Sequence, residues 1–246
     1  MIHDMIADIK NNFKDKVKIV GAPFEADHQL AALFRQGIVD YVQTTDSDLN
    51  VLGTDTISLP MKGKQSKCWL MHNSELLKER LPTQFHTENI EWTDEILAHV
   101  GCFLGNDFLD RNPGNGPGKV SAFVKNIVRG PGDNRVKDEE ELCEYILNEV
   151  LVPTHATSEI KEKWTPALKL KHLKTWKESF EMFMNGPAFL VHSTDPQLSI
   201  REAFFQDKYE ISVGSLRGGD GYWNLQEQSA SDLQCNRTLR VGFHPF

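Results

Sequence analysis

Two short β-rich runs, residues 17–21 and 39–45, flank a helical stripe in which Leu30, Leu33 and Phe34 recur at steps of three and four before Gly37 ends the helix. Strand, helix, strand in that order is the pattern of a parallel βαβ unit, because parallel neighbours need a crossover connection. In such sheets, ligands gather at the carboxyl ends of the strands. Both runs lead into acids there: Glu25 and Asp27 follow the first, Asp46 and Asp48 the second. Further strands are expected at residues 56–59 and 68–71, around the turn Lys62-Gly63-Lys64. Ahead of them all, Ile2, Met5, Ile6, Ile9 and Phe13 form the stripe of an amphipathic helix over residues 2–13, expected to pack on the sheet.

From Asn73 the pattern turns helical, over residues 74–80, 93–104, 117–128, 138–150 and about 161–184, with Thr93 as an N-cap and Glu95 in the first turn of its helix. Residues 211–246 hold Gly214, Gly218, Gly219 and Gly221 among polar residues and read as loop-rich. The expected organisation is an α/β part over residues 1–92, a helical part over 93–196 and a loop-rich or partly disordered tail over 197–246. The chain shows no internal repeat and no coiled coil.

Composition narrows the function. The net charge of −8 argues against nucleic-acid binding by bulk electrostatics, since phosphate neutralisation needs clustered Lys and Arg; any such contact must be local. Carboxylates gathered to bind a divalent metal would themselves contribute to that charge. The absence of an apolar run near the roughly 18 residues of a membrane span argues against a membrane partner, and residues 1–10 lack the apolar core of a secretory signal. Cys68, Cys102, Cys143 and Cys235 are scattered, with no CxxC pair and no histidine at zinc spacing, and read as reduced thiols of an intracellular protein. Trp69, Trp92, Trp164, Trp176 and Trp223 read as core or partly buried anchors rather than as base-stacking platforms. His28, one residue past the first acid pair, receives no role.

An Asp after a strand is often only a turn residue or a helix cap. Two acid pairs inside one βαβ unit, with Asp107 after a later helix, point further, to a site for hard divalent cations. Mg²⁺ and Mn²⁺ prefer oxygen ligands, and two of them about 4 Å apart can clamp an in-line phosphodiester displacement.

The wording of these blocks resembles one family. Val20-Gly-Ala-Pro-Phe-Glu-Ala-Asp-His-Gln-Leu-Ala-Ala-Leu33 is similar to the internal signature of XPG/flap-endonuclease-type 5′ nucleases. Gly37-Ile-Val-Asp40, then Thr45-Asp-Ser-Asp-Leu49 and Gly53, match the family's next block. Leu104-Gly-Asn-Asp-Phe108 with Gly114-Asn-Gly-Pro-Gly-Lys119 resembles its third. Phe189-Leu-Val-His-Ser-Thr-Asp-Pro196 is a looser fourth match, so the resemblance covers residues 15–130 closely and 131–196 loosely.

The resemblance implies a partial parallel-sheet, PIN-like 5′ nuclease core followed by a helical helix-two-turn-helix region. It implies Glu25, Asp27, Asp46, Asp48 and Asp107 as catalytic metal-site acids for two Mg²⁺, with Mn²⁺ able to substitute, and no covalent nucleophile. It also implies a hairpin at Gly114, Gly116 and Gly118 that grips the DNA backbone with Lys119, Lys125 and Arg129 near it, and a monovalent cation there. The implied activity is structure-selective cleavage at DNA 5′ ends, flaps or junctions in replication or repair. The wording is closer to the 5′ exonuclease branch than to flap endonucleases, and a nuclear location and a replication or repair protein partner go with it.

Three departures stand against the family pattern: Phe24, Phe108 and Asn115, the last where an aliphatic residue usually packs the hairpin, so that Asn115 needs a hydrogen-bond partner if buried. The family's N-terminal segment, with two more metal-binding aspartates, has no counterpart before Met1, so the expectation is a fragment or a chain completed by a second piece. The rival reading is a catalytically inactive or incomplete relative that binds DNA or a protein; a more distant one is a hydrolase of small phosphoesters.

Overall fold

The computed structural model describes residues 2–13, 16–58, 70–112, 114–130, 133–151 and 164–216, with Ser158 and Glu162 singly. In chain order the elements are α1 (Ile2–Phe13), α2 (Ala26–Arg35), β1 (Val42–Gln43), α3 (Asp48–Val51), β2 (Thr56–Ser58), β3 (Leu70–His72), α4 (Ser74–Gln84) and α5 (Asp94–Leu104). A 3₁₀ turn at Pro117–Lys119 leads into α6 (Val120–Ile127), then β4 (Val128–Gly130), β5 (Asp133–Val136) and α7 (Glu139–Tyr145), which runs on into a π turn at Ile146–Val150. The last elements are α8 (Pro166–Asn185), β6 (Pro187–Ser193), α9 (Ile200–Phe205) and β7 (Tyr209–Ser215). They divide into two compact units, one of residues 1–40 with 185–246, the other of residues 41–184.

The first unit is built around a β6–β7 antiparallel hairpin running from the Pro187↔Ser215 pair to Ser193↔Tyr209. Leu33 and Ile38 pack with Val191 and Phe204 into a buried cluster, against which Val20, Val39 and Tyr209 are half-buried. Helix α2 is fastened to β6 by two glutamines one heptad apart. Gln29 donates to Phe189 O at 3.0 Å and accepts from Phe189 N at 2.8 Å; Gln36 does the same with Val191, at 3.0 and 3.1 Å. Each amide thus stands in for one residue of a neighbouring strand. At the end of α2, Gly37 N bonds Phe34 O and Ile38 N bonds Leu33 O, the left-handed stop that the sequence places at Gly37.

In the second unit, β1 runs parallel to β2 through Val42↔Thr56 and Gln43↔Ile57, and β2 runs antiparallel to β3. The fold is mixed α/β with a parallel pair, as expected, but the pair is displaced by one crossover. The parallel unit is β1–α3–β2; of residues 17–21, only Val20 makes a β-bridge. A run of five with Lys18 near its start and Pro23 behind it carries too little periodicity to fix its partner. The strand expected at 56–59 is seen at Thr56–Ser58 and that at 68–71 at Leu70–His72; Leu59, the turn 62–64 and Cys68 lie outside the described residues.

The second unit's core centres on α5, α6 and α8. Phe123, Trp176 and Phe183 are each 1% exposed, with Ile96, Phe103 and Ile127 around them. Phe103 and Phe123 stack at 4.4 Å between centroids. Full burial of each such side chain contributes about 2 kcal/mol from removal of apolar surface alone. Thr93 caps α5 as expected, its Oγ1 accepting from Ile96 N at 3.3 Å. Trp92 is buried like Trp176 and Trp164 half-buried, while Trp69 and Trp223 lie outside the described residues.

Three expectations change. The stripe of α1 is covered only in part among the described residues: Met5 and Phe13 are exposed while Ile6 and Ile9 are half-buried, since a 3.6-residue period specifies a face and not a partner. The helix expected over 138–150 breaks register into a π turn after Tyr145. The beginning of the tail expected as loop is ordered: Ser199 and Glu202 form a reciprocal capping box that starts α9, and β7 follows. Residues 217–246 lie outside the described residues. Among the described residues no helix is long and apolar enough to cross a membrane.

Candidate metal and nucleic-acid site

Two of the five acids sit at the start of α2. Glu25 is its N-cap, with extended backbone and no side-chain cap bond, and is exposed; Asp27 is half-buried in the first turn. Unsatisfied N–H groups at a helix start favour negative charge, so acids are at home here without further expense of structure. Phe24, just ahead, is 59% exposed. The Gln29 and Gln36 amides hold this helix against β6 and so fix the direction from which the pair is presented.

Asp46 and Asp48 lie in the other unit, in the connection that leaves the carboxyl end of β1. Asp46 N donates to Thr44 Oγ1 at 2.9 Å, and Asp48 N donates to Asp46 Oδ1 at 2.9 Å. The two hydrogen bonds bend the chain twice within five residues, so Asp48 opens α3 while Leu49 beside it is fully buried. One oxygen of Asp46 is therefore fixed by the backbone of its neighbour. The Thr44 hydroxyl was not among the residues singled out, although a hydroxyl two residues before an Asp is a readable turn signal.

Asp107 occupies a two-residue hairpin tip after α5. Asn106 and Leu109 exchange N–H···O bonds at 3.0 and 3.2 Å, and Asn106 Oδ1 accepts from both Phe108 N (2.9 Å) and Leu109 N (3.1 Å). Gly105 enters the turn at φ +85, and a Cβ there would stand 2.7 Å from the Arg111 backbone, so only glycine fits. Asp107 itself is exposed. Behind the turn Asn106 Nδ2 donates to the buried Ser179 Oγ at 2.9 Å, and the Cys102 thiol donates to the same oxygen at 3.5 Å. Burial pushes the Cys102 thiol up to about 12, with the Asp48 charge adding to the shift, so it stays protonated and is neither nucleophile nor ligand.

The glycine hairpin precedes the 3₁₀ turn and α6. Gly114 is exposed at φ +90, and the Lys119 Nζ lies 3.8 Å from where a Cβ on it would be. At Gly116 and Gly118, a Cβ would meet nothing within 4 Å, so packing gives no reason for glycine at either. Lys119 is half-buried at the end of the turn, whereas Lys125 and Arg129 are exposed. Asn115 finds the partner its chemistry requires: Nδ2 donates to Val150 O at 3.4 Å, tying the hairpin to the π turn.

Asp46 and Asp48 are thus joined directly, and Glu25 and Asp27 share one helix start. Among the described residues no group of three or more His, Cys, Asp or Glu side chains is placed to hold a metal ion. The donor chemistry fits Mg²⁺ nonetheless: the five are carboxylates, hard oxygen ligands, and Glu25 and Asp107 are exposed to approach. Asp55, an acid close to the second pair, belongs to structure: it accepts from Asn73 Nδ2 (2.8 Å), Ser74 N (2.8 Å) and Ser74 Oγ (3.0 Å), and so anchors α4.

The sequence says which family this is similar to: residues 16–107 match the XPG I-region, and over that segment the chain resembles the XPG/flap-endonuclease family. Exodeoxyribonuclease 1 of Schizosaccharomyces pombe is 31% identical over 100 residues, 41% of this chain and 16% of that protein. Exonuclease 1 of Drosophila melanogaster is 28% identical over 125 residues, 50% of this chain and again 16% of its own length. The matched stretch is thus a minor part of both relatives. Among solved structures, the catalytic core of Rad2 aligns over 73% of this chain at 16% identity and TM-score 0.43, covering 58% of that chain. A second, of the same core in complex with DNA substrate, aligns over 73% at 15% and 0.42, covering 54%.

Proposed function

We propose that this chain supplies the acids and the DNA-gripping hairpin of a Mg²⁺-dependent, structure-selective 5′ nuclease of the exonuclease/flap-endonuclease type, working on DNA in replication or repair. The observation that carries the reading is the Asp46–Asp48 turn at the carboxyl end of a parallel strand, within a segment that matches the XPG I-region. The named relatives are exonucleases, which supports the same class.

Glu25, Asp27, Asp46, Asp48 and Asp107 are the residues that would hold two Mg²⁺, with Mn²⁺ as substitute. Bound there, the metal would lower the pKa of an attacking water and offset charge on the departing oxygen. The protein's own part is to hold the carboxylates in place before substrate arrives. Asp46 is held by the Asp48 N–H and the Thr44 hydroxyl, and Asp107 by the Asn106 turn. Glu25 and Asp27 are held by a helix locked to β6.

The hairpin at Gly114, Gly116 and Gly118 leaves backbone open where a phosphate or a monovalent cation would need to approach, with Lys119 and Lys125 to meet the DNA backbone. Functionally, residues 1–92 carry four of the acids and residues 93–196 carry Asp107 and the DNA contacts. A nuclear site of action and a replication or repair partner belong to this reading.

The test is cleavage of a 5′-labelled flap and of a blunt duplex in Mn²⁺, with Asp46→Ala alongside. The expected result is 5′ product from the wild type, reduced about 100-fold or more in the variant, as for loss of a group that places the metal. Folded protein that binds the flap and cuts neither substrate would replace this reading with that of a DNA-binding relative.

A further inference from the structure

We propose that Asn106 and Ser179 form a clamp that sets the position of Asp107, making both positioning residues for the metal site; this rests on the nuclease reading above. Asp107 stands on a tip of two residues, and a tip that short takes its direction wholly from the pair that closes it. That pair is Asn106 and Leu109, joined by both backbone hydrogen bonds. The Asn106 side chain then uses both ends. Its Oδ1 takes the N–H groups of Phe108 and Leu109, the two residues after Asp107, so the backbone on the far side of the acid cannot swing. Its Nδ2 reaches Ser179 Oγ at 2.9 Å, on the 20-residue helix α8.

Ser179 is fully buried, between the Cys102 thiol of α5 and Asn106. A buried hydroxyl is retained only where its hydrogen bonds are made, and here they all lead to the turn or to the helix that precedes it. The chain therefore ties the acid-bearing turn to the core helix by one side chain, with Gly105 allowing the sharp entry that the geometry demands. Without the Ser179 hydroxyl, the turn would keep the bonds it makes within itself but lose its tie to α8, and with it the partner that fixes the Asn106 amide. Outer-shell hydrogen bonds of this kind fix the orientation of metal-holding carboxylates, and their loss typically weakens metal binding 10- to 100-fold.

The experiment compares the full chain with Ser179→Ala, Asn106→Ser and Asp107→Asn, and with Ile146→Val as a control that loosens the core away from the turn. Mn²⁺ affinity is measured by calorimetry well below each Tm, and exchange of the Phe108 and Leu109 amides by NMR. The expected result is about a tenfold or greater loss of Mn²⁺ affinity for Ser179→Ala and Asn106→Ser, with faster exchange at both amides, and no change in affinity for Ile146→Val. Should Ser179→Ala fail to fold, Asn106→Ser, at a half-exposed position, makes the same cut from the other side. If Asp107→Asn binds Mn²⁺ like the wild type, the metal reading of Asp107 falls and the clamp with it. If Asp107→Asn weakens binding and the clamp variants bind normally, the clamp alone is overturned.

Discussion

His99 shows what a single buried residue imposes on the whole stability curve. It is 3% exposed on α5, stacked on Phe180 at 4.1 Å between centroids, and its Nδ1 has no hydrogen-bond partner among the described residues. Burial holds its pKa down at about 3. The unfolded chain takes up a proton near pH 6.5 and the folded chain does not, so the stability present above that value is lost as pH falls from 6.5 towards 3. The slope is about 1.4 kcal/mol per pH unit from this one group. Urea unfolding at pH 7.5 and at pH 5 should therefore show the wild type losing about 2 kcal/mol more than His99→Phe, which keeps the stacked ring and cannot titrate. Parallel losses in the two proteins would show that the ring protonates in place.

Among elements, α2 and the β6–β7 hairpin show which parts of the fold were legible in the sequence. The stripe of Leu30, Leu33 and Phe34 and the stop at Gly37 were readable because a helix of ten residues repeats its pattern nearly three times. Strands of two or three residues, such as β1 and β2, repeat nothing, so the parallel pairing was displaced by one crossover. In β7, Tyr209, Ile211 and Val213 do alternate with polar residues, but Gly214 and the glycines beyond it outweighed that signal. One Asp at a structural break is ordinary, and the acids stood out because two pairs fall within one expected βαβ unit; Thr44, Asn106 and Ser179, which brace them, are ordinary polar residues until their partners are known. Gln29 and Gln36 belong to the same class. Gln29→Ala should lower stability by about 2 kcal/mol by stranding the Phe189 N–H and C=O, and the half-exposed Gln36→Ala by about 1 kcal/mol. Urea midpoints should shift accordingly at unchanged slope. Equal and negligible shifts would mean that water replaces both amides.

Across the molecule, the net charge of −8 sets how any DNA contact must behave. A binder that covers duplex by broad electrostatics carries a positive face and loses affinity steeply with salt. This chain opposes DNA on average, so attachment must come from few cations against an unfavourable background. Lys119, Lys125 and Arg129, around the glycine hairpin, are the local candidates. Three phosphate contacts predict a slope of log K against log salt of about −3, since each contributes about −0.9 on duplex. Lys125→Ala should weaken binding alike for every duplex sequence and reduce the slope by about 1, because a phosphate contact positions without reading bases. Raising Mg²⁺ should act against the same background, screening the carboxylates and the DNA together. A slope near zero, or one that Lys125→Ala leaves untouched, would move the DNA contact away from the hairpin and leave the glycines at 116 and 118 without a role that packing can supply.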